Sequence, residues 1–483
     1  MKKYRKLAGL AVIVAAMSPS NLVAQSGQVQ TVSNASLENR VRAILSEIPN
    51  GSRYGLHILD ETGKTIISIN PDARFVPASN TKMFTTAAAF TVLPSINAAD
   101  TVGGAKVALV RQGKKDNIYL TGLGDARLSS AADCTINCLA TLADAVAAKT
   151  REVDDIIGDA TAFADDRWSQ GMSWNNMMGW PGTAVGALMV DDNEVPLEIT
   201  PDSTGTGPIT ISHNGYFQII NRLKPAGTAK ADINYYRAPD SHYMLLWGLA
   251  KTKRTIRLGV DDPAQYAAWQ LKRLLEERGV KVTGALRSLY RQADGSGAVA
   301  PQAVTLATLT PPPLGEDIAR INKESQNLHA EMLLRRIGAT QGNPSTKGGL
   351  TVIDQMLIKA GVPRNAYDFS DGSGMSTYNR VTPRAMVQFL RWTQTQPWGA
   401  QWKKSLAVAG TDGTLEYRFK TPSLARKLVG KTGALNQAAA LSGFLSTAKG
   451  KTLTFAFFAN DMPQDASVRP QMDRVIELIA AEN

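Results

Sequence analysis

A serine and a lysine stand three residues apart in the segment PASNTKMFTT, residues 77–86. A serine hydroxyl attacks an amide only when a base within hydrogen-bonding reach takes its proton. Residues i and i+3 share one face of a helix, so Lys82 could reach back to Ser79. A lysine that is desolvated in a cleft has a lowered pKa and can be neutral. The pair therefore indicates a serine nucleophile with a lysine base, and the alternative is a helix cap that precedes a lysine.

The segment GKTGAL, residues 430–435, contains the one Lys-Thr-Gly sequence of the chain. It follows RKLV and precedes AAALSGFL, which predicts a β-strand. A strand edge can pair with an extended peptide. Lys431 and Thr432 could hold a carboxylate, and Gly433 would let another backbone approach closely. The alternative is a surface turn that carries a lysine.

A Ser-x-Asn pattern is weak by itself, because it occurs five times in the chain, starting at Ser68, Ser95, Ser173, Ser212 and Ser325. The last copy is the best placed, since it lies between the other two motifs and precedes the helical run HAEMLLRR. There, the Ser325 hydroxyl could pass a proton to a leaving amine, and the Asn327 side chain could hold a substrate amide.

Other hydrolytic devices lack their sequence signatures. The chain has 4 histidines, and none lies in an H-E-x-x-H pattern or accompanies a G-x-S-x-G elbow. Cys134 and Cys138 have no histidine or further cysteine nearby, so we expect a small structural disulfide and no metal site. No cofactor is predicted.

The N-terminal residues predict export. Residues 1–24 contain the basic start MKKYRK, the apolar run LAGLAVIVAAM and the segment SPSNLVA, which ends in a small residue, Ala24, as a cleavage point for a signal peptide. No later run reaches the ~18 apolar residues of a membrane-spanning helix. The formal net charge is +11, without a block of basic residues, so nucleic-acid binding is not predicted. We expect a periplasmic protein, and the signal peptide by itself does not distinguish the periplasm from full secretion.

A chain of 483 residues is long enough for two or more domains. The alternation of helical and strand-like runs predicts an α/β (α+β) multi-domain fold. The opening and closing parts of the chain resemble each other in their helical and strand-like runs, and the middle looks inserted between them. This pattern predicts a discontinuous catalytic domain interrupted by a large insertion, and the short strand-like runs from 192 to about 258 predict a small all-β module.

The motifs S-x-x-K, S-x-N and K-T-G in this order are those of penicillin-recognising serine enzymes. The chain resembles the D-alanyl-D-alanine carboxypeptidase/endopeptidase family, the low-molecular-mass class C penicillin-binding proteins. The resemblance includes SDGSGMSTYNRVTP at 370–383 and VAGTDGTLEYRF at 408–419. It also includes the 246 positions from Ser79 to Ser325, more than a compact β-lactamase would need.

The resemblance implies a role for each motif residue. Ser79 would be acylated, with Lys82 as its base and Ser325 as a proton carrier. Substrate would be bound by Asn327, Lys431, Thr432, Gly433 and Ala434, with the backbone N–H groups of Ser79 and Ala434 forming the oxyanion hole. It further implies peptidoglycan stem peptides as substrates and β-lactams as acylating inhibitors. It also implies a three-domain arrangement after a signal peptide at 1–24. The divisions would be a β-lactamase/transpeptidase-like catalytic domain at 27–95 and 296–483, an inserted domain at 96–191 and 259–295, and a nested β-rich domain at 192–258.

Three features depart from the family pattern. Thr377 stands where an arginine is expected, Ala434 stands where serine or threonine is common, and GLGDARL at 122–128 replaces the more usual Gly-rich GDP form. The missing arginine leaves the preferred stem-peptide residue open. Asp371 and Ser373 lie in a Gly-rich segment, for which turn formation is the favoured interpretation. Two alternatives remain open, a β-lactamase or esterase of the same superfamily and a non-catalytic wall-binding scaffold. The residues also leave open the carboxypeptidase–endopeptidase balance, the oligomeric state and loose association with a membrane surface.

Overall fold

The computed structural model describes residues 36–94, 96–113, 115–202, 207–291 and 303–483. The predicted signal peptide lies outside these residues. Within them helices and strands are mixed, as the predicted fold class requires. No helix in the described ranges is long and apolar enough to cross a membrane.

The α-helices cluster in the first and last parts of the described chain. In chain order they are α1 (Leu37–Leu45), α2 (Thr81–Val92), α3 (Leu139–Lys149), α4 (Pro263–Glu277), α5 (Leu314–Lys323), α6 (Asn327–Ala339), α7 (Thr346–Lys359), α8 (Pro383–Gln394), α9 (Gly399–Lys404) and α10 (Arg469–Glu482). The helix α3 coincides with the predicted helical run LATLADAVAAK.

The strands occupy the beginning, the middle and the end of the chain. They are β1 (Arg53–Leu59), β2 (Thr65–Ile69), β3 (Lys106–Gln112), β4 (Lys115–Thr121), β5 (Glu152–Val153), β6 (Ile156–Ala164), β7 (Glu194–Pro201), β8 (Ile209–Ser212), β9 (Gln218–Pro225), β10 (Asp232–Tyr236), β11 (Tyr243–Ala250), β12 (Arg254–Gly259), β13 (Lys281–Val282), β14 (Leu286–Arg291), β15 (Val304–Thr308), β16 (Tyr367–Asp368), β17 (Arg380–Val381), β18 (Ala407–Val408), β19 (Leu428–Leu435), β20 (Ala438–Ser446) and β21 (Thr452–Asn460). The predicted hairpin is present as the antiparallel pair β1–β2.

A six-stranded antiparallel sheet in the order β18-β19-β20-β21-β1-β2 joins the two ends of the chain. Side chains on its two faces pack into separate cores. On β21, Phe458 faces the core that includes α2 and α8, whereas Phe455 and Phe457 face the core that includes α1 and α10. Because helices cover both faces, the strand is apolar along nearly its whole length.

The middle of the chain forms further sheets around one shared core. A five-stranded sheet has the order β14-β6-β4-β3-β15, and two three-stranded sheets have the orders β10-β11-β9 and β12-β7-β8. The strand β15 pairs with β3 although it follows the predicted domain boundary at residue 295. Cys134 and Cys138 form a disulfide in this part of the chain, which confirms their predicted pairing.

The helix α6 is one link between the middle of the chain and the six-stranded sheet region. Arg336 forms a buried ion pair with Asp100, with 2.8 Å between Nη1 and Oδ2. The imidazole of His329 lies 2.9 Å from a carboxylate oxygen of Asp192. A buried charge is tolerated only when it is paired, so these contacts fix α6 against the middle segment.

Candidate active site

Ser79 lies in a short 3-10 turn, Ala78–Asn80, that leads directly into α2. Ala78 has a φ of 46°, in the left-handed region that few non-glycine residues adopt. Asn80 is the residue that precedes the helix, and no side chain caps it. Ser79 is therefore not a helix cap in this structure, and its hydroxyl group is directed to another partner.

Gly374 lets the Gly-rich segment pack closely against the strained turn at Ala78. Its φ is 87°, and a Cβ at this position would lie 2.0 Å from the carbonyl oxygen of Ala78. The backbone of the Gly-rich segment can approach the nucleophile turn this closely only because residue 374 has no side chain. Strained conformations of this kind persist where the surrounding structure over-determines them.

The amino group of Lys82 is the centre of the site. The side chain is fully buried on α2, and its Nζ lies 3.1 Å from Ser79 Oγ. It also lies 2.6 Å from Asn327 Oδ1 and 2.5 Å from the carbonyl oxygen of Ser373. These two oxygens can only accept hydrogen bonds, so a neutral amine donates both of its protons to them. Its lone pair is then left for the hydroxyl proton of Ser79.

Burial determines the protonation of Lys82. Desolvation lowers the pKa of Lys82 from 10.5 to about 7, although the negative charges of Asp371 and Glu331 oppose the change. A pKa in this range makes the neutral amine available near pH 7, which suits a group that must accept a proton at that pH.

The second motif meets the first through Asn327. This residue begins α6 and holds both Lys82 and the carbonyl oxygen of Pro181, to which its Nδ2 donates at 2.8 Å. Ser325 precedes it in a left-handed conformation, with a φ of 65°. Ser325 lines the cavity in front of Ser79.

Two carboxylates below Lys82 shape the Gly-rich segment. Glu331 Oε1 accepts hydrogen bonds from the backbone N–H groups of Gly372 at 3.0 Å and Ser373 at 2.9 Å. Asp371 accepts from the N–H groups of Gly374 and Ser376. The turn interpretation of Asp371 is thus confirmed, and its charge also acts on Lys82. Burial, together with the charge of Glu331, raises the pKa of Asp371 to about 6.

Glu331 was not singled out by the sequence. It lies inside a helical run of mixed polarity, HAEMLLRR, and no motif spacing points to it. The available signal was an acid four residues after Asn327, which places both side chains on the same face of the helix.

The strand β19 carries the third motif as predicted. On its outer side β18 pairs only with Val429 and Gly430. From Lys431 onward, no strand in the described ranges pairs with that edge, which leaves backbone groups free for an extended peptide. A Cβ on Gly433 would lie 2.7 Å from the carbonyl oxygen of Pro77, so the glycine lets β19 pack against the nucleophile turn.

Lys431 and Thr432 differ in what they offer to a ligand. Lys431 is fully buried, and burial and the neighbouring charge of Lys82 hold its pKa well below the usual range. Its Nζ donates to the carbonyl oxygen of Thr432 at 3.0 Å. The hydroxyl of Thr432 is half-buried and donates to the hydroxyl of Thr414 at 2.7 Å.

A cavity of about 340 Å³ opens in front of the nucleophile. Its walls include residues of all three motifs together with residues from the end of the chain: Ser79, Ser325, Thr414, Arg418, Thr432, Gly433, Ala434, Ala439, Ala440, Arg469 and Met472. Lys82 and Asn327 lie behind the hydroxyl of Ser79. In the residues that the structure describes, no group of three or more His, Cys, Asp or Glu is placed to hold a metal ion.

The arrangement has the parts required for acyl transfer. A hydroxyl faces a partly neutral amine, a second hydroxyl borders the same cavity, and an open strand edge lies beside both. A profile of the D-Ala-D-Ala carboxypeptidase 3 (S13) family matches residues 37–482.

The chain belongs to this family. The match covers nearly the whole described chain, so the resemblance read from the motifs is confirmed, as is the classification as a serine-type carboxypeptidase. A D-alanyl-D-alanine carboxypeptidase of Actinomadura sp. is 29% identical over 480 residues, which cover 93% of this chain and 86% of the relative.

Two solved structures show the same fold. Penicillin binding protein 4 (dacB) from Haemophilus influenzae superimposes with a TM-score of 0.76 and 20% identity, over 91% of this chain and 98% of that one. A complex of that protein with a β-lactam superimposes with a TM-score of 0.72, over the same shares of the two chains. The likeness confirms the predicted fold class.

We expect the substitution Gly374→Ala to disrupt the nucleophile turn. The added Cβ would meet a backbone oxygen that cannot move without displacing Ser79. Acylation of Ser79 by a fluorescent penicillin should fall by about tenfold or more, as a 1.4 kcal/mol change in the barrier already gives a factor of ten.

Gly450→Ala is the matched control for that substitution. Gly450 has a similar φ of 80°, but nothing lies within 4 Å of the position of its Cβ. It should lose only about 1–2 kcal/mol of stability from the left-handed backbone and should be acylated at the normal rate. Equal acylation rates in both variants would contradict the packing account.

We expect the acylation rate to rise with pH through about 7, because Lys82 must be neutral to accept a proton. Glu331→Gln keeps an oxygen for the backbone N–H groups but removes a negative charge that favours the ammonium form. The rising part of the pH–rate profile should therefore move to lower pH. Stopped-flow acylation by a chromogenic cephalosporin measures the shift, and Glu324→Gln, at an exposed side chain, should leave the profile in place. A shift to higher pH would contradict this electrostatic assignment.

Proposed function

We propose that the protein is a serine DD-peptidase that cleaves the D-Ala-D-Ala bond of peptidoglycan stem peptides through an acyl-enzyme on Ser79. The main structural support is the 3.1 Å contact between Ser79 Oγ and the Nζ of the fully buried Lys82. Membership of the D-Ala-D-Ala carboxypeptidase family supports the substrate class.

In the acylation step, Lys82 Nζ takes the hydroxyl proton of Ser79 as Oγ bonds to the carbonyl carbon of the penultimate D-Ala. The oxyanion that forms accepts hydrogen bonds from the backbone N–H groups of Ser79 and Ala434. Asn327 and the carbonyl oxygen of Ser373 hold the new ammonium group through two of its protons. Its third proton points at the reacting centre.

In the second half of acylation, the tetrahedral intermediate collapses and its C–N bond breaks. The leaving amine takes the proton held by Lys82, and the Ser325 hydroxyl relays it across the cavity. Terminal D-Ala leaves as a neutral amine. Water then attacks the ester carbon, with neutral Lys82 as the base. The bond between that carbon and Ser79 Oγ breaks, Oγ takes the proton from Lys82, and the shortened peptide is released.

The open edge of β19 would position the substrate. An extended peptide that pairs with the strand beyond Gly430 places its carbonyl carbon beside Ser79. Thr432 offers a hydroxyl to the terminal carboxylate, and Gly433 keeps the strand close to the nucleophile turn. Lys431 fixes the strand from inside through its hydrogen bond to Thr432.

The same site would cleave D-Ala cross-links between two stem peptides, which gives a DD-endopeptidase activity beside the carboxypeptidase activity. β-Lactams would acylate Ser79, because their strained amide presents a carbonyl carbon in place of the D-Ala-D-Ala bond. The complex of the Haemophilus influenzae relative with a β-lactam supports this proposal.

The proposed location and domain division rest on the sequence. Export to the periplasm follows from residues 1–24 and places the enzyme beside peptidoglycan. The proposed catalytic domain combines both ends of the chain, with an inserted domain and a nested β-rich domain between them. Because β15 pairs with β3, we place the end of the inserted domain after Thr308.

The test is labelling with a fluorescent penicillin, read by intact mass and peptide mapping, on the wild type and on Ser79→Ala. We expect one adduct, located on Ser79 and lost in the variant, together with release of D-Ala from an N-acylated tripeptide that ends in D-Ala-D-Ala. Ser129→Ala, at a half-buried serine of the middle segment, is the control and should label normally.

Two outcomes would replace the proposal. Rapid turnover of a chromogenic cephalosporin without release of D-Ala would identify a β-lactamase or esterase. A folded protein that forms no adduct and shows no such turnover would be a wall-binding scaffold.

A further inference from the structure

Two arginines border the cavity in front of Ser79, and they differ in their ion-pair partners. Arg418 forms an ion pair with Asp473, with its Nε 3.3 Å from Oδ2 and a second, shorter contact through Nη2. Arg469 is the first residue of α10 and is exposed. Within the part of the chain that the structure describes, its guanidinium has no carboxylate partner, and its backbone N–H donates to Ser467 Oγ.

A substrate that ends in D-Ala brings a carboxylate into this cavity, next to the bond that is cut. An ionised carboxylate that leaves bulk water needs charged or multiple hydrogen-bond partners. Groups of the cavity must therefore supply these hydrogen-bond partners.

The strand β19 supplies little positive charge. The amino group of Lys431 is buried and is hydrogen-bonded to the carbonyl oxygen of Thr432. Thr432 offers one hydroxyl, which also contacts Thr414. Ala434, two residues further along the strand, is exposed and has only a methyl group. One hydroxyl is a weak partner for a full negative charge.

The guanidinium of Arg418 is already neutralised by Asp473, so it could bind a second carboxylate only at the cost of that ion pair. Arg469 remains as the cation that lines the cavity without a counter-charge. A guanidinium presents its N–H groups in a planar fork that matches a carboxylate in two parallel hydrogen bonds.

We propose that Arg469 binds the terminal carboxylate of the peptide substrate and so makes the site selective for chains that end in a free acid. The inference rests on the proposed function, because it assigns one more contact to the same reaction. The consequence is specific to this chain, in which position 434 carries no hydroxyl that could bind the carboxylate. A side chain from the last helix binds it instead.

The test compares two substrates that differ only in charge, an N-acylated tripeptide ending in D-Ala-D-Ala and the same tripeptide with a C-terminal amide. For the acid, Arg469→Gln should lower kcat/KM by about 10- to 100-fold, the range expected for loss of charge-assisted hydrogen bonds. For the amide, kcat/KM should change by less than about twofold, within the range of ordinary context effects.

The matched control is Arg474→Gln. Arg474 lies on the same helix but pairs with Glu47 at the surface, with its side chain 51% exposed, and its replacement should leave both substrates unaffected. Two rescue variants are informative. Arg469→Lys should recover part of the activity on the acid, and Ala434→Thr in the Arg469→Gln background should recover part of it through a new hydroxyl.

Binding gives a readout that does not need catalysis. In a Ser79→Ala background, calorimetry with the acid tripeptide should show weaker binding when Arg469 is replaced by glutamine, and binding of the amide should be unchanged. Loss of acid binding in a protein that hydrolyses neither substrate would support the inference and reject the proposed function. Equal losses for acid and amide, or no loss for either, would overturn the role of Arg469.

Discussion

The removal of one amino group from water is the constraint on which the site depends. The side chain of Lys82 has no exposed surface, and this desolvation lowers its pKa into the range where a neutral amine is abundant at pH 7. The hydrogen-bond partners of the amino group also suit its neutral form. Two oxygens accept its protons and one hydroxyl faces its lone pair, so the amine is held in the orientation that receives the proton of Ser79.

The surrounding structure maintains this burial with contacts that serve two purposes. Glu331 holds the backbone at Gly372 and Ser373 in place, and its charge limits the fall in the pKa of Lys82. Gly374 in turn packs against Ala78, where the backbone is strained immediately before the nucleophile. One loop thus sets both the position of the hydroxyl and the basicity of the amine.

Local patterns in the sequence were sufficient for part of this site. The spacing of Ser79 and Lys82 predicts their contact because one helical turn brings the two side chains together. The run around Lys431 predicts a strand because apolar residues flank it on both sides. Glu331 and Arg469 could not be found in this way. The first acts through a backbone segment about 40 positions away, and the second enters the cavity from a C-terminal helix whose position depends on packing against the sheet. Tertiary packing determines both, and no local period encodes it.

The most direct test of the account is the ionisation of Lys82 itself. An NMR titration of protein labelled with ¹³C at the lysine ε-carbons, with the signal assigned by its absence in Lys82→Arg, reports the pKa without substrate or catalysis. The account predicts a midpoint near 7 for Lys82, well below the value of about 10.4 for an exposed lysine. A midpoint above about 9, outside the range in which the amine could act as a base at neutral pH, would contradict it.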